Sequence, residues 1–290
     1  MDHGQFLRPP GETVRLSAID PGSLGEFGSE EEAQASAERD ARSLLGLQDM
    51  LMAHERHGLL ILFQGMDASG KDEAIRDVLS SLDPRGSEFK QFKPMTEKEV
   101  RHDYLWRAVA SLPARGQIGI FNRSYYEHVV VERLHPEQLD RQRLPAASGE
   151  GIWQQRFRQI DDFERYLAEN GIHLLKFFLH LSKAEQRKRL LERIERPETS
   201  WRFSRDDVEE RGRWGEYMSA YEEALTHTNS EHAPWYVVPA DKRWVTQAVV
   251  ASVIAAELRS LHSEYPELTE EQREEIEWAR EILEGESPGD

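Results

Sequence analysis

The stretch 61–75, "ILFQGMDASGKDEAI", carries an apolar segment through two glycines to a lysine. Gly65, Gly70 and Lys71 have the spacing of a loop that cradles phosphate. The run "LLILF" (59–63) ahead of it reads as a buried parallel strand, being short, continuous and apolar. The segment from Lys71 to Leu82, closed by "DPRG", reads as the helix that follows. Glycine lets the backbone turn so that successive N–H groups, here through Ala68 and Ser69, face one anion. The helix start brings its positive end to the same place, and Lys71 adds a full charge. A strand–helix turn with a chance lysine is the plainer alternative; the order strand, loop, helix favours phosphate. Two residues depart from the common motif. Asp72 stands where a Ser or Thr hydroxyl would hold magnesium. Asp67, inside the loop, would repel phosphate unless a cation intervened. It is either a magnesium ligand or a turn or N-cap aspartate.

Outward from this stretch, strands and helices alternate. Residues 31–57 suit an amphipathic helix, with Leu44, Leu45, Leu47, Leu51 and Met52 on a rough stripe. Further strands are expected at "SEFKQF" (87–92), "QIGIF" (117–121), "IHLLKFFLHL" (172–181) and "WYVVP" (235–239), with a helix from about Glu97 to Ser111. This alternation predicts an α/β fold, a parallel sheet with helices on both faces. Residues 1–30, rich in Pro, Gly and Ser, are expected to be irregular, and 263–290 to form an acidic helix that frays into a tail.

Composition narrows the function. The 290-residue chain has no cysteine, which excludes disulfides, thiolate metal sites and a cysteine nucleophile. With no leader and no apolar run long enough to span a bilayer, a cytoplasmic protein without a membrane partner is expected. A net charge of −17 argues against nucleic acid as a partner. The charge is unevenly spread. Glu257 to Asp290 holds twelve acidic and three basic residues, while Arg187 to Arg205 holds seven basic and three acidic. A focused basic segment can still bind a polyanion.

Two more constellations bear on chemistry. In "IFNRSYYE" (120–127), Asn122 occupies the strand end where phosphate-loop enzymes usually place a metal-binding Asp. Arg123 could fork onto a phosphate or instead form an ion pair fixing the strand end. Glu127, a helical turn on, could reach an acceptor or a basic neighbour. The second is "AEQRKRLLERIERPETSWRFSRDDVEERGRW" (184–214), with Arg187, Arg189, Arg193, Arg196 and Arg202. A basic helix is often just a solvated face; after a late strand of a phosphate-loop enzyme it can also be a closing lid. Lys90 and Lys93 of "FKQFKP" and Arg107 of "LWR" would extend the basic surface.

Taken together, "GMDASGKDEAI", "HDYLWR", "GIFNRSYYEHVVVERL", "HLSKAEQRKRLLERIERPETSWRFSRDD", "WGEYMSAYEEAL" and "APWYVVPADKRW" resemble the polyphosphate kinase family 2 proteins. Those proteins move phosphoryl groups between inorganic polyphosphate and nucleotides. The resemblance covers roughly residues 5–262 and leaves the acidic tail unmatched. It implies a P-loop kinase fold like that of thymidylate kinase, over residues 31–262, with a helical lid at about 183–213. It makes Lys71 the loop lysine and Asp67 the organiser of magnesium and phosphate, so that Asp72 is no defect. Arg187, Arg189, Arg193 and Arg196 fall in the lid near the polyphosphate path. Asn122 and Arg123 stand where most branches have Asp-Arg. Asn122 with Glu127 looks like the branch that phosphorylates both nucleoside mono- and diphosphates. "FKPM" departs from an expected "FKQP", which leaves the part played by Lys93 open.

The expectation is therefore a phosphotransferase that moves the end group of polyphosphate to AMP and ADP, with guanine nucleotides as further acceptors. Magnesium would be organised by Asp67 and Asn122, with manganese as a substitute, and the chain would assemble as a homo-oligomer. An ATP-dependent nucleotide kinase and a non-enzymatic polyphosphate or nucleotide sensor are the rival readings.

Overall fold

The computed structural model describes residues 1–144 and 151–285. Five strands form one wholly parallel sheet in the order β2-β3-β1-β4-β5: β1 (Gly58–Gln64), β2 (Ser87–Gln91), β3 (Ile118–Asn122), β4 (Ile172–His180) and β5 (Trp235–Pro239). Between and around them lie α1 (Glu30–His54), α2 (Lys71–Leu79), α3 (Trp106–Val109), α4 (Glu127–Leu134), α5 (Pro136–Asp140) and α6 (Ile152–Glu169). The second half adds α7 (Lys183–Glu195), α8 (Pro197–Ser200), α9 (Arg205–Gly212), α10 (Trp214–His227), α11 (Arg243–Ser260) and α12 (Glu270–Gly285). This is the P-loop kinase fold.

The apolar strands pack by the two-residue period of extended chain. On β1, Leu59, Ile61 and Phe63 join the core shared with α1, α2 and α11. Leu60 and Leu62 face the opposite core, with Val129 of α4, Phe157 of α6 and Tyr221 of α10. A strand buried on both faces has no polar side to offer, which is why "LLILF" is continuous rather than alternating. Strand β1 lies between β3 and β4, so the chain order reverses there. In open parallel sheets the crevice outside the carboxyl ends of the strands at this reversal is where ligands bind. The phosphate-type loop of residues 65–70 emerges at that point.

The expected helix over 97–111 is broken. A single 3-10 turn, Glu99–Arg101, is followed by an extended residue, His102, and then the one-turn helix α3. Asp103 causes the break: its carboxylate accepts from Leu105 N (3.0 Å), so local side-chain bonding replaces helical bonding. Helix α7 stops at Arg196, which is extended because Pro197 follows. Residues before α1 are held by buried Phe6, Val14, Leu16 and Phe27 and by a short antiparallel bridge from Leu7 to Tyr236 of β5. The last five residues of the acidic tail, where fraying was expected, lie outside the described residues.

Candidate active site

The loop after β1 takes backbone shapes that only certain residues allow. Gly65 has φ +145°, and a Cβ there would lie 2.8 Å from Leu179 O and 2.9 Å from Ser69 Oγ. Gly70, at φ +98°, turns the chain into α2. Each loop carbonyl from 65 to 68 is held by a side chain. Lys71 Nζ donates to Gly65 O (2.7 Å) and Met66 O (3.0 Å), Gln186 Nε2 to Asp67 O (2.9 Å), and Arg189 Nη1 to Ala68 O (3.1 Å). Carbonyl and N–H of one peptide point opposite ways, so the N–H groups of residues 66–68 turn to the other side. Together with the free N–H groups that open α2, they form an anion-binding concavity. Lys71 is buried, and burial lowers its pKa.

At the end of β3 the backbone of Arg123 enters the left-handed region (φ +60°), unusual for a non-glycine residue. Its N–H donates to Phe63 O (3.0 Å), which ties the turn to β1. Its guanidinium donates to Asp67 Oδ1 (2.8 Å) and Glu127 Oε2 (3.2 Å). Glu127 first, and Asp67 with it, raise the Arg123 pKa against the opposing effect of burial. The fork and ion-pair readings of Arg123 are thus both physical: it pairs with two carboxylates while lining the cleft. Asn122 Nδ2 donates to Asp72 Oδ1 (2.6 Å). Asp72, the residue that breaks the common motif, is therefore bonded to the other departure from it.

These groups open onto a groove of about 1040 Å³. Nine cationic side chains line it against four carboxylates. Three of the nine are paired within the protein, Arg123 as above, Arg189 with Glu185 and Arg193 with Asp207. The other six, Lys71, Arg76, Lys93, Arg196, Arg202 and Arg243, make no ion pair among the described residues.

The arrangement also bears on a metal. Among the described residues no three His, Cys, Asp or Glu side chains converge as a cage. Among the described residues the second carboxylate oxygen of Asp67 and the carbonyl oxygen of Asn122 accept from no protein donor, the Asn122 amide nitrogen being on Asp72. Such a sparse donor set fits a magnesium ion carried on phosphates, which needs one or two protein oxygens.

A family model described as Polyphosphate kinase 2 matches residues 28–266. The chain belongs to the polyphosphate kinase 2 family. It is 44% identical to a Rhodopseudomonas palustris protein named ADP-polyphosphate phosphotransferase, over 94% of this chain and 95% of that one. It is 41% identical to the AMP/ADP-polyphosphate phosphotransferase of Meiothermus ruber, over 90% and 94% respectively. The crystal structure of polyphosphate kinase 2 from Arthrobacter aurescens superposes with a TM-score of 0.89 at 33% identity, covering 97% of each chain.

Within this family fold, the cleft brings together Asp67, Ala68, Ser69, Gly70, Lys71, Asp72, Asn122, Arg123, Lys93, Arg189, Arg193, Arg196 and Arg202. Five expected residues do not line that groove: Gly65, at the root of the loop, and Lys90, Arg107, Glu127 and Arg187. Lys90 lies between groove-lining Phe89 and Gln91, and the strand period turns it to the other face. Arg187 is exposed on the outer side of α7. Arg107 is buried in a separate cavity, together with Glu127. Arg189 reaches the groove, but its guanidinium also bonds Ala68 O, Ala240 O and Asp241 O. It braces the loop rather than standing open to a ligand. Two groove cations escaped the sequence reading. Arg243 opens α11 four residues after β5, and the carboxyl end of a parallel strand was the available signal. Arg76 lies on α2, one and a half turns past Lys71.

Proposed function

We propose that this chain transfers the terminal phosphoryl group of inorganic polyphosphate to AMP and ADP, with magnesium. The observation that carries the reading is the groove itself. Its unpaired arginines run from the loop mouth to α8, a length of positive surface suited to a polymer of phosphates. Family membership and the names of the two relatives support the same donor and acceptors, and give no support to ATP as the donor.

In this mechanism an oxygen of the acceptor's terminal phosphate attacks the end phosphorus of the chain. The bridging P–O bond breaks onto the shortened polymer. Lys71 and the N–H groups of residues 66–68 hold the phosphates in line, and Arg123 stabilises the group in transit. Asp67, with Asn122, would hold magnesium, which when bound neutralises charge on the phosphates. Arg193, Arg196 and Arg202 grip the chain, and the segment from α7 to α9 acts as a lid that excludes water. The reading is tested by a time course of AMP with polyphosphate and magnesium, resolving ADP and ATP, beside AMP with ATP as sole donor. Turnover with ATP but none with polyphosphate would overturn it.

A further inference from the structure

Five cationic side chains are buried in the described structure: Lys71, Arg107, Arg156, Lys176 and Arg189. Arg156 pairs with Glu132 (2.6 Å), Lys176 with Glu164 (2.6 Å) and Arg189 with Glu185 (3.0 Å). Lys71 and Arg107 have no carboxylate partner among the described residues. An uncompensated buried charge is strongly unfavourable, so a site that retains one is built for an anion that arrives. For Lys71 the phosphate loop supplies the reason. Arg107 calls for the same explanation.

Arg107 Nη1 donates to Lys93 O (2.6 Å), its guanidinium lies over the Phe92 ring, and Nε has no partner. Nη2 faces His128 Nε2 at 3.3 Å. A guanidinium can only donate, so Nε2 accepts and the imidazole proton sits on Nδ1, shared with Glu132 Oε1 (2.5 Å). Glu132 is held in turn by Arg156 and Gln142. His128 is thus fixed as a neutral acceptor that aims Arg107. Burial, which lowers the His128 pKa, acts in the same direction.

Arg107 lines a cavity of about 70 Å³ that shares Lys93 and Arg123 with the large groove. That is room for several waters, enough for a phosphate group. The cavity and the groove adjoin at Lys93 and Arg123.

We propose that this cavity seats the phosphate of the acceptor nucleotide, with Arg107 as its buried cation and His128 as the residue that positions Arg107. Arg107 then serves the acceptor and not the polymer. This rests on the phosphotransferase reading above, and its test separates the two.

The test is steady-state kinetics of wild type, Arg107→Met, His128→Phe and His128→Gln, varying AMP and long polyphosphate in turn. Arg107→Met raises the KM for AMP at least tenfold and leaves the KM for polyphosphate within twofold. His128→Phe shifts the AMP KM the same way, and His128→Gln, which restores an acceptor, recovers most of it. Equal rises in both KM values, or an unchanged AMP KM, would overturn the assignment. Circular dichroism checks folding; if Arg107→Met does not fold, Arg107→Lys carries the same comparison. Should wild type show no polyphosphate turnover, the functional reading fails by itself. Calorimetric binding of AMP then still tests the cavity, with a tenfold weaker Kd in the Arg107 variant expected and an equal Kd refuting it.

Discussion

Asn122 and Asp72 depart from the common phosphate-loop pattern together, and the structure shows them bonded at 2.6 Å. Replacing Asn122 with Asp removes the donor and sets two carboxylates face to face. At about 3 Å and an effective dielectric of about 20, the repulsion is about 5 kcal/mol. Asp72 is exposed, so water and salt reduce this to roughly 1–2 kcal/mol. The lost charged hydrogen bond adds a further 1.5–3 kcal/mol or so. A divalent cation between the carboxylates would offset the repulsion. Asn122→Asp is therefore expected to lose roughly tenfold or more in turnover at limiting magnesium and to approach wild type at high magnesium. The double variant Asn122→Asp, Asp72→Asn restores the bond with donor and acceptor exchanged, and should flatten that dependence. The assay is a magnesium titration of initial rate with AMP and with ADP. If Asn122→Asp follows wild type at every magnesium concentration and the double variant gains nothing, the contact does not govern the site.

Lys71→Ala should lower kcat by about two orders of magnitude or more, as loss of a phosphate-stabilising donor does. Lys71 leaves no carboxylate stranded, but Gly65 O and Met66 O lose their donor, so circular dichroism accompanies the assay; a folded variant keeping a tenth of wild-type turnover would refute the role. Arg189→Gln should lower the melting temperature, because it leaves Glu185 and three loop carbonyls without their donor. Arg193→Gln with Arg196→Gln should instead raise the KM for long polyphosphate, increasingly so with added salt; the reverse assignment of these two outcomes would count against the brace. Burial would raise the Glu132 pKa, but the hydrogen bond from His128 and the charge and hydrogen bond of Arg156 lower it from 4.5 to about 2, so Glu132 contributes to acid stability. Its folded value is depressed, so the contribution is complete above about pH 4.5 and is lost as pH falls toward 2. Urea titrations at pH 3 and pH 6 should differ less in Glu132→Gln than in wild type.

Four of the five strands could be read from the sequence because β1, β3, β4 and β5 are short, nearly continuous apolar runs buried on both faces, while the edge strand β2 is largely polar and exposed. The loop could be read because Gly65 and Gly70 are required by backbone angles that other residues resist. The helix over 97–111 was misjudged because one aspartate, Asp103, offers its own backbone a competing bond. Part of the arginine sorting on α7 was also available. Helical residues three or four apart share a face, so Arg189 and Arg193 line the groove while Arg187, two residues from Arg189, points away; Arg196 lines it from beyond the helix end. Treating all four as one track ignored that period.

What sequence could not show is which cations already have a counter-charge. Arg107 and Arg156 look alike along the chain, each in a helix among aromatic residues, yet Arg156 meets Glu132 at 2.6 Å and Arg107 meets an imidazole. The difference depends on α3, α4 and α6 converging, and no local pattern encodes it. It also decides function. A buried arginine with a carboxylate partner has its electrostatic need met when the chain folds, and a phosphate arriving there must displace an existing bond. A buried arginine without one has that need outstanding, and an incoming anion gains the full interaction. Among the described residues Lys71 and Arg107 are the buried cations of this second kind, and the exposed groove arginines Arg76, Arg196, Arg202 and Arg243 likewise make no ion pair. The polymer and the acceptor can thus be held by separate sets of cations that meet only at Arg123 and Lys93, the two residues common to both cavities.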